Sequence, residues 1–114
     1  MSNPTRPAMP PAALLPLPRL AHVIRSKNAG PTQLTIDIFF NDAHAFELAA
    51  GSGAMSEAAV AARYALPEGQ VRRYLLPDIA AIKYSMPRRQ CAGTPGDGDV
   101  YGAQQHGPML EILL

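Results

Sequence analysis

Two polar segments hold most of the side chains in this 114-residue sequence that are equipped for chemistry. The first is Arg25-Ser26-Lys27-Asn28-Ala29-Gly30-Pro31, with two cations, a hydroxyl and an amide ahead of a glycine. A turn of this composition at a strand end can aim backbone N–H groups and a guanidinium at one anion, as carboxylate or phosphate recognition requires. Arg25, Ser26, Lys27 and Asn28 are therefore candidate substrate- or anion-binding residues. The plainer alternative is a polar turn in which Asn28 and Gly30 only supply unusual dihedral angles.

The second segment, Gly96-Asp97-Gly98-Asp99-Val100-Tyr101-Gly102-Ala103-Gln104-Gln105-His106, gathers two carboxylates, a phenol, two amides and an imidazole. Histidine is its one side-chain type that ordinarily titrates near neutrality, which makes His106 the candidate for proton transfer. Asp99 and Tyr101 join it as catalytic candidates, an aspartate orienting the ring or binding a cation. Asp97, Gln104 and Gln105 are ligand-binding candidates. Asp-Gly-Asp opens like a calcium loop, but the twelve-residue pattern ending in glutamate is absent, so no metal is expected. The structural alternative is a glycine-rich crossing whose polar residues satisfy its own backbone.

The remaining reactive types are scattered. His22 lies in an apolar stretch and reads as a packed histidine, and His44 reads as solvated. With His106 they do not form a metal-binding spacing. Cys91 follows Arg88-Arg89-Gln90, and nearby cations can lower a thiol pKa, but a lone cysteine reads better as buried. The sequence contains no dinucleotide-binding glycine turn, phosphate-binding P-loop or nucleophile elbow, and no cofactor is expected.

Periodicity supplies the elements that must position these residues. Leu20 to Arg25 reads as a strand running into the Ser26–Pro31 turn. Leu34, Ile36, Ile38 and Phe40 alternate with Thr35, Asp37 and Phe39, the pattern of a half-buried strand. Asn41-Asp42 offers a cap for a helix carrying Ala45, Phe46 and Leu48, stopped by Gly51-Ser52-Gly53. Ser56 caps a second helix with Val60 and Tyr64 on its apolar side, closed by Pro67-Glu68-Gly69. Val71–Leu76 and Ala81–Met86 read as paired strands around a Pro77-Asp78 turn, with Ile82, Tyr84 and Met86 sharing a face. Residues 87–108 form a long loop, and Met109–Leu114 reads as a last strand with Leu110, Ile112 and Leu114 covered. Strands outnumber the helices, which fall together mid-chain, so the expected class is α+β, a mainly antiparallel sheet with two helices on one face.

Composition sets the outer limits. Six of the 12 prolines fall within residues 1–18, which predicts a disordered Pro-rich arm there and a single domain over residues 19–114. The formal net charge is +1, so no overall field draws in nucleic acid or an anionic membrane. Pro16 and Pro18 interrupt the only apolar stretch near the start, and no run approaches the ~20 residues of a membrane span. A single cysteine fits a reducing compartment. A soluble, cytoplasmic protein is expected.

Three stretches carry a more specific signal: LAHVIRSKNAGPTQLTIDIFF (Leu20 to Phe40), YLLPDIAAIKYSMPR (Tyr74 to Arg88) and PGDGDVYGAQQHGPMLEI (Pro95 to Ile112). Together they resemble a bacterial family of small stand-alone proteins of unknown function. That family is similar to the ferredoxin-fold domain at the C-terminal end of AtuA-like (acyclic terpene utilisation) proteins. In the AtuA-like domain the opening strand runs into an Arg-Ser-Gly-Asp-Lys-Gly turn, whose place is taken here by Arg25 to Gly30. A Leu-Pro-Asn-Leu turn is echoed by Leu76-Pro77-Asp78-Ile79. The resemblance implies a ferredoxin-like sandwich, a cytoplasmic metabolic setting, a larger AtuA-like partner chain and ligands that are carboxylic acids or acyl thioesters. A homo-oligomer through an uncovered strand edge is the other assembly expected.

The expected role is the small subunit of such a metabolic complex, contributing to ligand binding or to hydratase- or lyase-type chemistry. Arg25 or Lys27 would hold a carboxylate, and His106, Tyr101 or an aspartate would move a proton at the adjacent carbon. For this, the Arg25 turn and the Asp97–His106 loop must converge at one end of the sheet. A noncatalytic interaction subunit is the first alternative. Helix-turn-helix DNA binding is the second, with Arg72 and Arg73 on a recognition helix over Val71–Leu76; the low net charge and Pro77 oppose it.

Overall fold

Strand alternation organises the molecule, and it is clearest in Gln33–Phe40 (β2). There Leu34, Ile36, Ile38 and Phe40 all point into the core. The computed structural model describes residues 15–88 and 106–114. Ala21–Asn28 (β1) pairs antiparallel with β2, with a register shift between Ala21 and Val23. Gly30 turns the chain between them at φ +117, a conformation that glycine adopts without strain. Arg72–Leu76 (β3) and Ala81–Pro87 (β4) form a second antiparallel pair, and β4 pairs with β2. The result is a four-stranded sheet in the order β1-β2-β4-β3.

Helices cover one face of this sheet. Ala43–Ala50 (α2) follows the four-residue helix Leu17–Leu20 (α1) and starts at Asp42, whose carboxylate accepts from the Ala45 amide at 2.8 Å. It buries Ala45, Phe46 and Ala49. Leu48, expected inside, is exposed, because the buried arc takes its neighbour Ala49 instead. Glu57–Arg63 (α3) starts at Ser56, whose hydroxyl accepts from the Ala59 amide at 3.1 Å, and buries Val60 and Ala61. It ends before the expected Pro67-Glu68-Gly69 because Ala65 turns left-handed at φ +55. The Leu66 and Ala65 amides then donate to the Ala61 and Ala62 carbonyls, closing the helix end. The Tyr84 hydroxyl donates to the Met55 carbonyl at 2.7 Å and ties β4 to the turn before α3.

A sheet with helices packed on it gives the expected α+β class and is compatible with a ferredoxin-like sandwich. No described helix is long and apolar enough to cross a membrane. Two boundaries differ from expectation. The last segment is not a strand: Gly107–Glu111 winds into a 3-10 helix, with Pro108 in its first turn supplying a preset φ. Met109, Ile112 and Leu114 are buried, whereas Leu110 faces out. The expected cut at residue 19 falls inside the packing. Leu17 is wholly buried, and Leu15 and Leu114 exchange two backbone hydrogen bonds of 2.7 and 2.8 Å. Burying a leucine contributes about 1.5–3 kcal/mol, so Leu17 belongs to the folding unit. Residues 1–14, the rest of the expected arm, lie outside the described residues.

Val71–Leu76 was also the recognition helix of the DNA-binding alternative. It is strand β3 with its flanking residue, and Arg73 is spent on packing: its guanidinium donates to the Ala50 and Met55 carbonyls at 3.3 and 3.2 Å. No second helix of a helix-turn-helix exists at this position.

Candidate functional site

The expected anion-binding turn is instead the end of a strand, and that changes what its residues share. The ladder continues through Ser26↔Ile36, Lys27↔Thr35 and Asn28↔Leu34, leaving the turn to residues 29–32. Successive side chains on a strand point to opposite faces. Ser26 and Asn28 therefore lie on the covered face beside Ile36 and Leu34, while Arg25 and Lys27 lie on the open face beside Asp37 and Thr35. The four candidates do not gather around one anion.

The covered-face pair meets two residues from distant parts of the chain. Ser26 Oγ lies 3.5 Å from His106 Nδ1, a contact whose donor depends on the ring tautomer. Arg88 Nη1 donates to Asn28 Oδ1 at 3.1 Å, and the Arg88 amide donates to the Thr32 carbonyl at 2.8 Å. Ser26, Asn28 and Arg88 each have a further interaction besides these. Ser26 and Arg88 are buried, at 6% and 8% exposure, and His106 is half-buried. Burying a guanidinium is costly unless its donors are met, so Arg88 must be tied into this cluster.

Arg88 was not among the sequence candidates, although its parity could have found it. Ile82, Tyr84 and Met86 share the covered face of β4, and Arg88 is the next position of that series. Arg88 and His106, which flank residues 89–105 in the sequence, both meet the same face of β1. Asp97, Asp99, Tyr101, Gln104 and Gln105, like Cys91, lie within that stretch and outside the described residues. The covered-face cluster offers a buried cation, a hydroxyl, an amide and an imidazole, the groups needed to hold a carboxylate and move a proton beside it.

The open face carries different chemistry. Arg25 Nε lies 3.4 Å from Asp37 Oδ2, and its guanidinium sits 5.1 Å from the centre of the Phe39 ring. Across the sheet, register aligns Lys27, Thr35, Ser85 and Arg72 in one row and Arg25, Asp37, Lys83 and Tyr74 in the next. Thr35 Oγ1 donates to the Lys27 carbonyl at 3.4 Å. The buried Tyr84 and the half-buried Tyr64 take no part in either cluster: desolvation raises the pKa of both well above the ordinary value, so both hydroxyls stay protonated.

No curated protein and no solved structure shows significant similarity to this chain. Residues 17–113 match a domain of unknown function, DUF4387, which spans α1, the whole sheet, the covered-face cluster and the C-terminal 3-10 helix. A match over that much of the sequence places the chain in the DUF4387 family.

Proposed function

We propose that this protein is the small subunit of a cytoplasmic metabolic complex and binds a carboxylic acid or acyl thioester beside Ser26, Asn28, Arg88 and His106. The observation that carries the reading is the fastening of Arg88 and His106, the two residues that flank residues 89–105, onto Ser26 and Asn28 of β1. Arg88 and His106 there supply a buried cation and a half-buried imidazole beside a hydroxyl and an amide. In this reading the Arg88 guanidinium and the Asn28 amide orient the carboxyl or thioester carbonyl. His106 moves a proton at the adjacent carbon in hydratase- or lyase-type chemistry, assisted by Asp99 or Tyr101, and Asp97, Gln104 and Gln105 contact the ligand. The resemblance to the AtuA-like domain supports a larger AtuA-type chain as the partner that completes the site.

Copurification from the native host, followed by assays with carboxylic acids and acyl thioesters, tests the proposal. A stable larger chain together with activity that depends on such a compound is the expected outcome. Recovery of the protein alone, or of a complex inert toward every such compound, contradicts it. A noncatalytic interaction subunit is the second reading. It is favoured by the exposed edge strand β3, which carries Leu75 at 44% exposure and leads into Ile79 at 58%.

A further inference from the structure

The open face of the sheet holds a second recess, separate from the cluster just described and on the opposite side of the strands. It is a cavity of about 390 Å³ lined by Thr35, Tyr74, Leu76, Lys83 and Ser85. We propose that this recess binds an organic monocarboxylate with an apolar body, its carboxylate on Lys83 and the Ser85 hydroxyl, and its body against Tyr74 and Leu76.

Charge and hydrogen bonding argue for an anion. Asp37 stands across from Lys83 in the register, yet its ion pair is with Arg25, on its other side. Among the described residues, the Lys83 ammonium and the Ser85 and Tyr74 hydroxyls have no hydrogen bond or ion pair. Lys83 is half-buried, so its charge is less screened than that of a fully solvated lysine. An adjoining recess of about 270 Å³ shares Ser85 and carries the exposed Arg72, which adds cationic field on the same side.

The same geometry argues for a carboxylate with an apolar body. Backbone N–H groups in the middle of the sheet are committed to the strand ladder, so none is free to form the N–H nest that phosphate sites use. One half-buried ammonium with flanking hydroxyls matches a single negative charge. The row beyond Lys83 is apolar, with Phe39, Ala81 and Leu76 aligned by the register. A ligand with its head on Lys83 and Ser85 therefore lays its body over apolar surface. The volume lies within the range of small-molecule sites.

Titrating the full-length protein with sodium octanoate, followed by amide chemical shifts, tests the proposal. Saturable shifts at Thr35, Tyr74, Lys83, Ser85 and their neighbours are expected, with a Kd on the order of millimolar for a ligand of this size. Acetate, which lacks the body, should bind about tenfold or more weaker. Lys83→Met should also weaken octanoate about tenfold or more, as loss of a charge-assisted contact does, while Lys83→Arg stays within about threefold. Ser85→Ala provides a second, milder loss without removing a charge. Four results would each overturn the proposal: shifts at Ser26 and His106 with none at Lys83 and Ser85, unsaturable shifts, octanoate affinity unchanged by Lys83→Met, or inorganic phosphate binding in the recess as tightly as octanoate.

Discussion

The two faces of the sheet use similar residue types for opposite ends. On the covered face, polar side chains are bonded into the architecture: Ser26 to His106, Arg88 to Asn28, Tyr84 and Arg73 to the Met55 carbonyl. On the open face, Lys83, Ser85 and Tyr74 carry comparable groups with no such partner among the described residues. A buried polar group must be bonded to be tolerated, so on the covered face the groups proposed to meet a ligand also hold the fold together. The solvent-reachable groups of the open face carry no such double duty. The lesson is that proximity in sequence does not define a site on a strand. Arg25 and Ser26 are neighbours in the chain and serve different faces.

The sharpest way to break the comparison is to remove one cation from each face. Arg88→Met strands the half-buried side-chain oxygen of Asn28 and should destabilise the fold by about 1–3 kcal/mol. For a domain of this size that corresponds to a fall in Tm of roughly 4 °C or more. Lys83→Met should stay within about 0.5 kcal/mol. Paired urea titrations decide the matter, and equal losses for the two variants would erase the distinction between the faces.

Tyrosines repeat the contrast at smaller scale. Tyr84→Phe removes the hydroxyl that donates to the Met55 carbonyl and should cost about 1 kcal/mol, because Arg73 still donates to that carbonyl. Tyr74→Phe, on the open face, should cost under about 0.5 kcal/mol. The pH dependence sharpens this. An unfolded tyrosine titrates near about 10, whereas desolvation holds the native Tyr84 and Tyr64 protonated to higher pH. Their raised pKa leaves stability intact below about pH 10. Above it the unfolded chain sheds protons that the native state retains, and stability falls as pH rises. Tyr84→Phe should flatten that alkaline decline, as stability curves measured from pH 9 to 11 would show.

The smallest expected effect has the opposite sign. Ala65 holds the left-handed position that ends α3, at φ +55, where a side chain is strained. Ala65→Gly should stabilise the protein by about 0.5–1 kcal/mol, measurable as a rise in the urea midpoint; a fall would mean that the Ala65 methyl packs more than it strains.

Much of the fold was legible because it rests on local signals. The alternation of Leu34 to Phe40, the caps Asp42 and Ser56, and the Pro77-Asp78 turn between two strands all found their elements. The signals failed where tertiary partners decide. Met109 to Leu114 alternates like a strand, but Pro108 favours a tight helical turn, and among the described residues only the short stretch Leu15 to Leu17 pairs with the end of the chain. Leu17 sits among prolines that suggest a loose arm, yet it fills a gap in the core. Of the candidates chosen by type, Ser26 and Asn28 meet Arg88 and His106 on the covered face, while Arg25 and Lys27 fall on the open face because the strand runs three residues further than its apolar pattern. Arg88 was missed because a cation at the end of an apolar series reads as solvent-facing until the covered face is known.

The central claim is that the residues fastened at the end of β1 do chemistry on a carboxyl or thioester compound. Its most direct test is the activity of the native complex rebuilt with His106→Ala, measured beside the yield of that complex. Turnover reduced by about 10²-fold or more with the complex recovered in full is the predicted result, the loss expected when a proton-transfer group is removed. Unchanged turnover in an intact complex would contradict the account and leave His106 a structural anchor for the end of β1.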